Sequence, residues 1–249
     1  MTLQDIIQCE KSYVSMFSSI EEKPYGYIAT DVNQRDKYYH NYVDLIKRNY
    51  TREDIISYIE QTKPFGFTIL RCEHHIKIDD DLIKDAIVDR DAYYMSPIET
   101  INITPKAEAS ITVVDPKHDE DFFQFVYDES KAFGISYAEG NIKRQKEILY
   151  QHRDRYRYYQ VKVNDQVIGS LNVCIIEDFA KLDDFSILES MQRKGYGSRL
   201  MHHVIQDLKQ QGIKEVYLVT DFHGTAKDMY QSWGFTYVAS FDHYRIMHH

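Results

Sequence analysis

The chain has 249 residues, with 30 Lys plus Arg against 39 Asp plus Glu and a formal net charge of −9. That length allows one large domain or two small ones with cores. The acidic balance argues against a general nucleic-acid binder, whose affinity rests on neutralising phosphates.

Three widely spaced cysteines, Cys9, Cys72 and Cys174, do not form the pattern of a disulfide framework. The opening residues Met1–Ile7 lack the basic and apolar regions of a signal peptide. No apolar run approaches the roughly 20 residues that cross a bilayer. A soluble, cytoplasmic protein with no membrane partner is expected. The 21 tyrosines read first as core and pocket lining by rings with a polar tip.

In chain order, the pattern predicts a helix near residues 3–16 and a strand at Tyr25–Ala29. A helical pattern follows around Tyr39–Lys47. Thr51-Arg52-Glu53-Asp54 has capping-box form ahead of Ile55, Ile56 and Ile59. Phe65–Cys72 reads as a strand, residues 79–88 as a short helix and Ala92–Met95 as a strand. Pro97 and the run Thr104–Ser110 mark a polar connector, which divides the chain into an N-terminal mixed α/β domain at 1–105 and a second domain at 106–249.

The second half reads as a strand at Ile111–Val114, a helix at Glu120–Lys131 and a charged helix at about 139–157. Tyr158–Val163 and Gln166–Ile176 flank Asn164-Asp165, a hairpin signal. Leu182–Leu188 is a strand, followed by an apolar stripe at helical spacing: Leu200, Met201, Val204, Ile205 and Leu208. Gly212 sits where that helix would end. Glu215–Thr220 is a strand, 224–233 a short helix closing at Gly234, and Phe235–Phe241 and Tyr244–Met247 two last strands. The fold class is α/β of the α+β kind: a mixed, mostly antiparallel sheet flanked by helices, beside a smaller N-terminal α/β domain.

Between the strand and the striped helix lies Gln192-Arg193-Lys194-Gly195-Tyr196-Gly197-Ser198. A glycine-bearing basic turn at a helix start directs backbone N–H groups and the positive end of a helix dipole at one place, which suits an anion. The plain alternative is an ordinary helix-starting turn.

Three signals in this order resemble the GNAT family of acetyl-CoA-dependent N-acyltransferases over about residues 110–249. The first is Gln192-Arg-Lys-Gly195-Tyr-Gly197, similar to the family's Q/R-x-x-G-x-G/A. The second is the strand ending Phe185-Ser-Ile187-Leu188 just before it. The third is Ala226-Lys-Asp-Met-Tyr230-Gln-Ser-Trp-Gly234-Phe235, similar to Ala-x-x-x-Tyr-x-x-x-Gly-Phe. Tyr39-His40-Asn41 and Tyr93-Tyr94-Met95 resemble parts of a degenerate GNAT-like lobe in the N-terminal half. At the place three residues before Ala226, where the family often has Asn, this chain departs with His223.

The resemblance implies a GNAT-type sheet, acetyl-CoA as co-substrate, no metal, and cofactor contacts from Gln192, Arg193, Lys194, Gly195, Tyr196, Gly197, Ser198 and His223. It implies main-chain contacts to the pantetheine arm from Phe185 and Ile187, in the manner of an added strand. Tyr230 matches the tyrosine that protonates the departing thiolate, and a phenol protonated at neutral pH can do so; its alternative is packing on a helix face. A general base is open between Asp183 and Asp184, with Glu177 ending the preceding strand, and strict alternation sends neighbouring strand residues to opposite faces.

The acceptor is expected to be an amine of a small molecule or peptide. A catalytically inactive CoA-binding regulatory module is the alternative, and a homodimer is compatible with either. The basic residues Lys143, Arg144, Lys146, Arg153, Arg155 and Arg157 read as a solvated face. Cys72-Glu73-His74-His75 has no second pair at metal-ligand spacing.

Overall fold

The computed structural model describes residues 2–47 and 49–248. In chain order the elements are α1 (Leu3–Val14), β1 (Ser19–Lys23), β2 (Gly26–Thr30), β3 (Tyr42–Leu45), α2 (Arg52–Thr62), β4 (Phe67–Glu73) and β5 (Ile87–Pro97). There follow β6 (Ser110–Val113), α3 (Glu120–Ser130), α4 (Ile135–Gln151), β7 (Tyr156–Val163), β8 (Gln166–Ile176) and β9 (Phe179–Ile187). The chain closes with α5 (Tyr196–Gln210), β10 (Glu215–Asp221), α6 (Ala226–Ser232) and β11 (Thr236–Met247). Contacts group these into two compact units: residues 1–13, 94–219 and 228–236, and residues 14–93, 220–227 and 237–249.

In the first unit the strands run β10-β9-β8-β7-β6. They are antiparallel except for the parallel pair β9–β10. Asn164 and Asp165 both have positive φ, 51° and 63°, as a tight two-residue hairpin turn requires. Tyr158 and Tyr159 point to opposite faces of this sheet. Tyr158 meets the Phe122 ring of α3 at 5.2 Å, and the Tyr159 hydroxyl donates to Asp207 of α5. So α3 covers one face and α5 the other.

The stripe Leu200, Met201, Val204, Ile205 and Leu208 is at most 2% exposed. Each such side chain contributes about 2 kcal/mol when removed from water. Gly212 ends α5 in a left-handed conformation, with its N–H on the Lys209 carbonyl and that of Ile213 on Leu208.

Helix α1 belongs to this unit through a buried ion pair. Glu10 and Lys181, 8% and 5% exposed, meet at 3.0 Å, the Tyr217 hydroxyl donates to Glu10 at 3.0 Å, and the Lys181 ammonium lies 3.9 Å from the Tyr13 ring centroid. The compact units are therefore not separated by a single cut at 105/106. The first helix joins the later half through Glu10, and β11 returns to pair with β4 over residues 241–247.

In the second unit the order is β1-β2-β3-β4-β11, with β3–β4 the parallel pair. Two apolar clusters fill it, one around Ile28, Leu45, Ile55 and Leu70 and one around Tyr27, Tyr42 and Phe67. Thr51 caps α2 as expected, reciprocally with Asp54.

Four local expectations are corrected here. Residues 39–47 are a short 3-10 turn and then β3. The Asn41 amide donates to the Gln34 and Lys37 carbonyls, and the fully buried Tyr42–Leu45 pairs between β2 and β4, so tertiary pairing overrides helical spacing. Residues 79–86 form turns closed by Leu82 on Asp79 and Ala86 on Ile83, with Arg52 holding Asp79 and Asp81. The charged helix spans 135–151 rather than 139–157, because Tyr156 is already strand. The last two strands are one: buried Asp242 stays in β11 because Arg90 and His74 bond it at 2.6 and 2.7 Å.

Burial drives the phenols of Tyr13, Tyr156, Tyr158 and Tyr217 well above the ordinary value near 10. Above that pH the folded chain holds more protons than the unfolded one, so the stability these groups contribute is intact below about pH 10 and lost as pH rises further. A spectroscopic titration should show tyrosinate absorbance of the buried rings appearing together with loss of circular dichroism. Full tyrosine titration near pH 10 with an unchanged dichroism spectrum would contradict this.

Candidate active site

Parallel pairing between β9 and β10 ends at Leu182 and Leu218. Among the described residues, Asp183–Ile187 have no strand partner on the β10 side, while on the other side they stay attached to β8. The sheet of the first unit thus opens along the second half of β9. An edge of this kind offers free backbone groups to an extended ligand.

The open segment is also bulged. Ser170 pairs with Ser186 and Asn172 with Asp183, so Leu171 alone faces both Asp184 and Phe185, and Asp184 takes φ 47°. One extra residue breaks alternation. Asp184 accepts from the Tyr158 hydroxyl at 2.7 Å, and Asp183 meets Lys181 at 3.3 Å. Both carboxylates raise the phenols of Tyr13 and Tyr156. The expectation that neighbouring residues here must face apart therefore fails: the bulge brings both acids to one cluster of tyrosines. Asp183 is 26% exposed at its side chain and Asp184 is exposed. Glu177 lies in the β8–β9 hairpin, six positions before Asp183 and about 20 Å away along the strand, at the wrong end of β9 for this cluster.

From Ile187 the chain makes a 3-10 turn at Glu189–Met191 and enters α5. The Gln192 amide donates to the Ile187 carbonyl at 2.9 Å, which ties the turn to the strand end. Arg193 and Gly195 are both left-handed, φ 59° and 92°, a backbone shape typical of anion-binding concavities. Gly195 is the N-cap of α5 and brings no side chain to cap it. The opening N–H groups of Tyr196, Gly197 and Ser198 have no partner inside the helix by construction. The Ser198 hydroxyl donates to the Gly195 carbonyl at 2.8 Å. Arg193 and Lys194 are exposed. At Gly197 a β-carbon would sit 3.2 Å from the Phe185 ring, so the turn rests on the open strand.

Tyr230 is held by a left-handed helix stop. Gly234 has φ 102°, its N–H bonds the Gln231 carbonyl at 3.0 Å, and that of Phe235 bonds Tyr230 at 3.1 Å. A β-carbon at 234 would come within 3.0 Å of the Thr100 carbonyl. This stop brings the residue after the glycine back over the last turn, and the Phe235 and Tyr230 rings meet at 6.0 Å. Tyr230 also meets Trp233 at 6.0 Å, and Trp233 meets Phe185 at 6.5 Å. The ring is 7% exposed, and its hydroxyl bonds no other described residue. Burial, and secondly the charge of Asp183, push the phenol up to about 12, so it keeps its proton throughout the neutral range.

Asp183, Asp184, Phe185, Ile187, Gln192–Ser198 and Tyr230 thus gather in the first unit. His223 belongs to the second unit, in the turn after β10, where its N–H donates to the Asp221 carboxylate at 2.9 Å. Sequence reasoning missed Glu10, Tyr13 and Lys181, whose partners lie about 170 residues away and leave no local pattern. It also left Lys106 in a featureless connector. The basic residues do not form one solvated helical face: Lys143, Arg144 and Lys146 lie on α4, where Arg144 is only 12% exposed and pairs with Glu147 while Lys146 pairs with Glu120, and Arg153, Arg155 and Arg157 follow the helix, the last of them in β7.

Residues 122–235 match the acetyltransferase (GNAT) family. Over 117 residues the chain is 26% identical to the [ribosomal protein bS18]-alanine N-acetyltransferase of Haemophilus influenzae, covering 47% of this chain and 76% of that one. Two solved structures share the fold along nearly the whole length. A conserved protein of unknown function from Staphylococcus epidermidis gives a TM-score of 0.77 at 22% identity, covering 100% of this chain and 98% of its own. A GCN5-related N-acetyltransferase from Kribbella flavida gives 0.70 at 9% identity, covering 98% and 96%. The match to the acetyltransferase (GNAT) family covers residues 122–235, the stretch that carries the open strand, the uncapped helix start and the tyrosine-bearing helix stop.

Proposed function

We propose that the first unit transfers an acetyl group from acetyl-CoA to an amine of a small molecule or peptide. The observation that carries this is the unpaired end of β9 running directly into an uncapped helix start. An extended pantetheine arm fits the first and a pyrophosphate fits the second. Acetyl-CoA supplies the activated acyl carbon. The relative from Haemophilus influenzae acts on an alanine amine of a ribosomal protein, which makes an amine acceptor the consistent class here.

In this reading the main chain at Phe185 and Ile187 orients the arm. Since the Ile187 carbonyl already accepts from Gln192, Phe185 carries more of that contact. The backbone N–H groups of Arg193–Ser198 hold the phosphates, helped by the charges of Arg193 and Lys194. Asp183 or Asp184 takes the proton that the acceptor ammonium must lose before its nitrogen can attack. As the new carbon–nitrogen bond forms and the carbon–sulfur bond breaks, Tyr230 gives its proton to the departing sulfur. Its raised pKa keeps the phenol protonated when the sulfur departs.

Three outcomes follow for the full chain. Calorimetric titration should detect CoA binding, and Gly197→Ala should weaken it at least tenfold with the circular dichroism spectrum retained, since the added β-carbon requires only a small shift of the Phe185 ring 3.2 Å away. Undiminished affinity in that variant would count against the cradle. Tyr230→Phe should leave CoA affinity within about twofold and lower kcat by roughly 100-fold in a thiol-release assay with a panel of amines; an unchanged kcat removes Tyr230 as the acid. The wild-type rate should show no alkaline fall from Tyr230 ionisation below about pH 11, given a phenol near 12. CoA binding with no thiol release on any amine would instead indicate a binding module.

A further inference from the structure

The polar connector before β6 plays no part in the chemistry above, yet it is pinned alongside α5. The Ile98 N–H donates to the Lys214 carbonyl at 2.9 Å and that of Asn102 to the Trp233 carbonyl at 3.1 Å. Glu99 pairs with Lys209 of α5 at 3.4 Å. Ile101 and Ile103 are buried, 8% and 7% exposed, and with His202, Ile205 and Gln206 of α5 they line one small cavity.

Three residues further on, the connector reaches the helix-starting turn itself. A β-carbon at Gly195 would lie 2.8 Å from Lys106 Cβ, 3.2 Å from the Lys106 carbonyl carbon and 3.3 Å from the Ala107 nitrogen. The first of these is closer than real β-carbons come, so the absent side chain at 195 is what lets the two segments touch. Gly195 meets two demands at once: a left-handed N-cap and a seat for the connector.

Lys106 is exposed and makes no hydrogen bond or ion pair with any other described residue. A lysine stem carries its ammonium up to about 5 Å from Cβ on flexible bonds. From that position it can reach the space in front of the opening N–H groups of α5. The turn's own cations, Arg193 and Lys194, leave from the other strand of chain, so Lys106 approaches the same anion from a different side.

We propose that Lys106 is a further phosphate-binding residue of the cofactor site, an ammonium supplied by the connector and lying outside the family segment 122–235. The proposal rests on the coenzyme A reading given above. It extends the cradle from one loop to two, and it makes cofactor affinity sensitive to a residue that the family motif does not contain.

The test is calorimetric titration of the full chain with CoA and with dephospho-CoA. Wild type is compared with Lys106→Ala, Lys106→Arg and Lys106→Glu, and with Lys84→Ala, an exposed lysine of the second unit, as the charge control. Lys106→Ala should weaken CoA binding about five- to tenfold, arginine should restore most of it, glutamate should weaken it further, and Lys84→Ala should change nothing. A loss seen with both ligands assigns the ammonium to the pyrophosphate; a loss seen only with CoA assigns it to the 3′-phosphate; either supports the proposal. Lys106 variants that bind CoA within twofold of wild type overturn it and leave the coenzyme A reading standing. An equal loss in Lys84→Ala overturns it too, by reducing the effect to net charge. A wild type that binds no CoA removes both readings together.

Discussion

Strands β9 and β10 separate after Leu182 and Leu218, and the arrangement of the first unit turns on that separation. Had pairing continued, the backbone of Asp183–Ile187 would be spent on the sheet and the strand would present only side chains. Instead half of β9 is anchored on one side and free on the other. The bulge at Asp184 exploits the same freedom, because a bulge is cheapest where a strand has one neighbour rather than two. The acids, the aromatic chain Phe185–Trp233–Tyr230 and the turn into α5 all attach to this one open stretch.

Rigidity at the site comes from elements that do no chemistry. The apolar face of α5 is clamped on β7, β8 and β9, which fixes where its uncapped first turn points. Tyr230 gains its position from a helix stop rather than from a hydrogen bond, so its hydroxyl stays uncommitted while its ring is packed on two neighbours. Lys181 is held between Glu10 and Asp183; removing its ammonium would leave the buried Glu10 without a counter-charge, a cost of about 3–5 kcal/mol for such broken pairs.

How much of this could be read from the amino acids depended on whether a residue's role was local. Gly195 and Gly234 were legible because each marks a left-handed position that ends or begins a helix, and the spacing of Gln192 and Tyr230 from them is set within one turn. The stripe on α5 and the turn at Asn164-Asp165 are local in the same sense. The bulge was not legible: nothing in Leu182-Asp183-Asp184-Phe185 signals an extra residue, since it arises from the register against Leu171. Residues 39–47 misled because Tyr42, Val43 and Leu45 also fit helical spacing, and only burial between β2 and β4 decides for a strand. Asp242-His243 looked like a break in the last strand because its partners, Arg90 and His74, are far away in sequence. Helix α1 was read correctly as a helix, but its attachment to Lys181 has no short-range trace.

That attachment has a consequence for how the chain is made. Glu10 and Lys181 are 171 positions apart, and Tyr217, which also holds Glu10, is later still. During synthesis the first helix emerges long before either partner exists, so it must wait, amphipathic and undocked, until Lys181 and Tyr217 have been made. Closing so long a loop is slow compared with local hairpins and helices. Docking of α1 therefore belongs among the last folding events of the first unit, and the waiting helix is the segment most open to chaperones and proteases on a newly made chain.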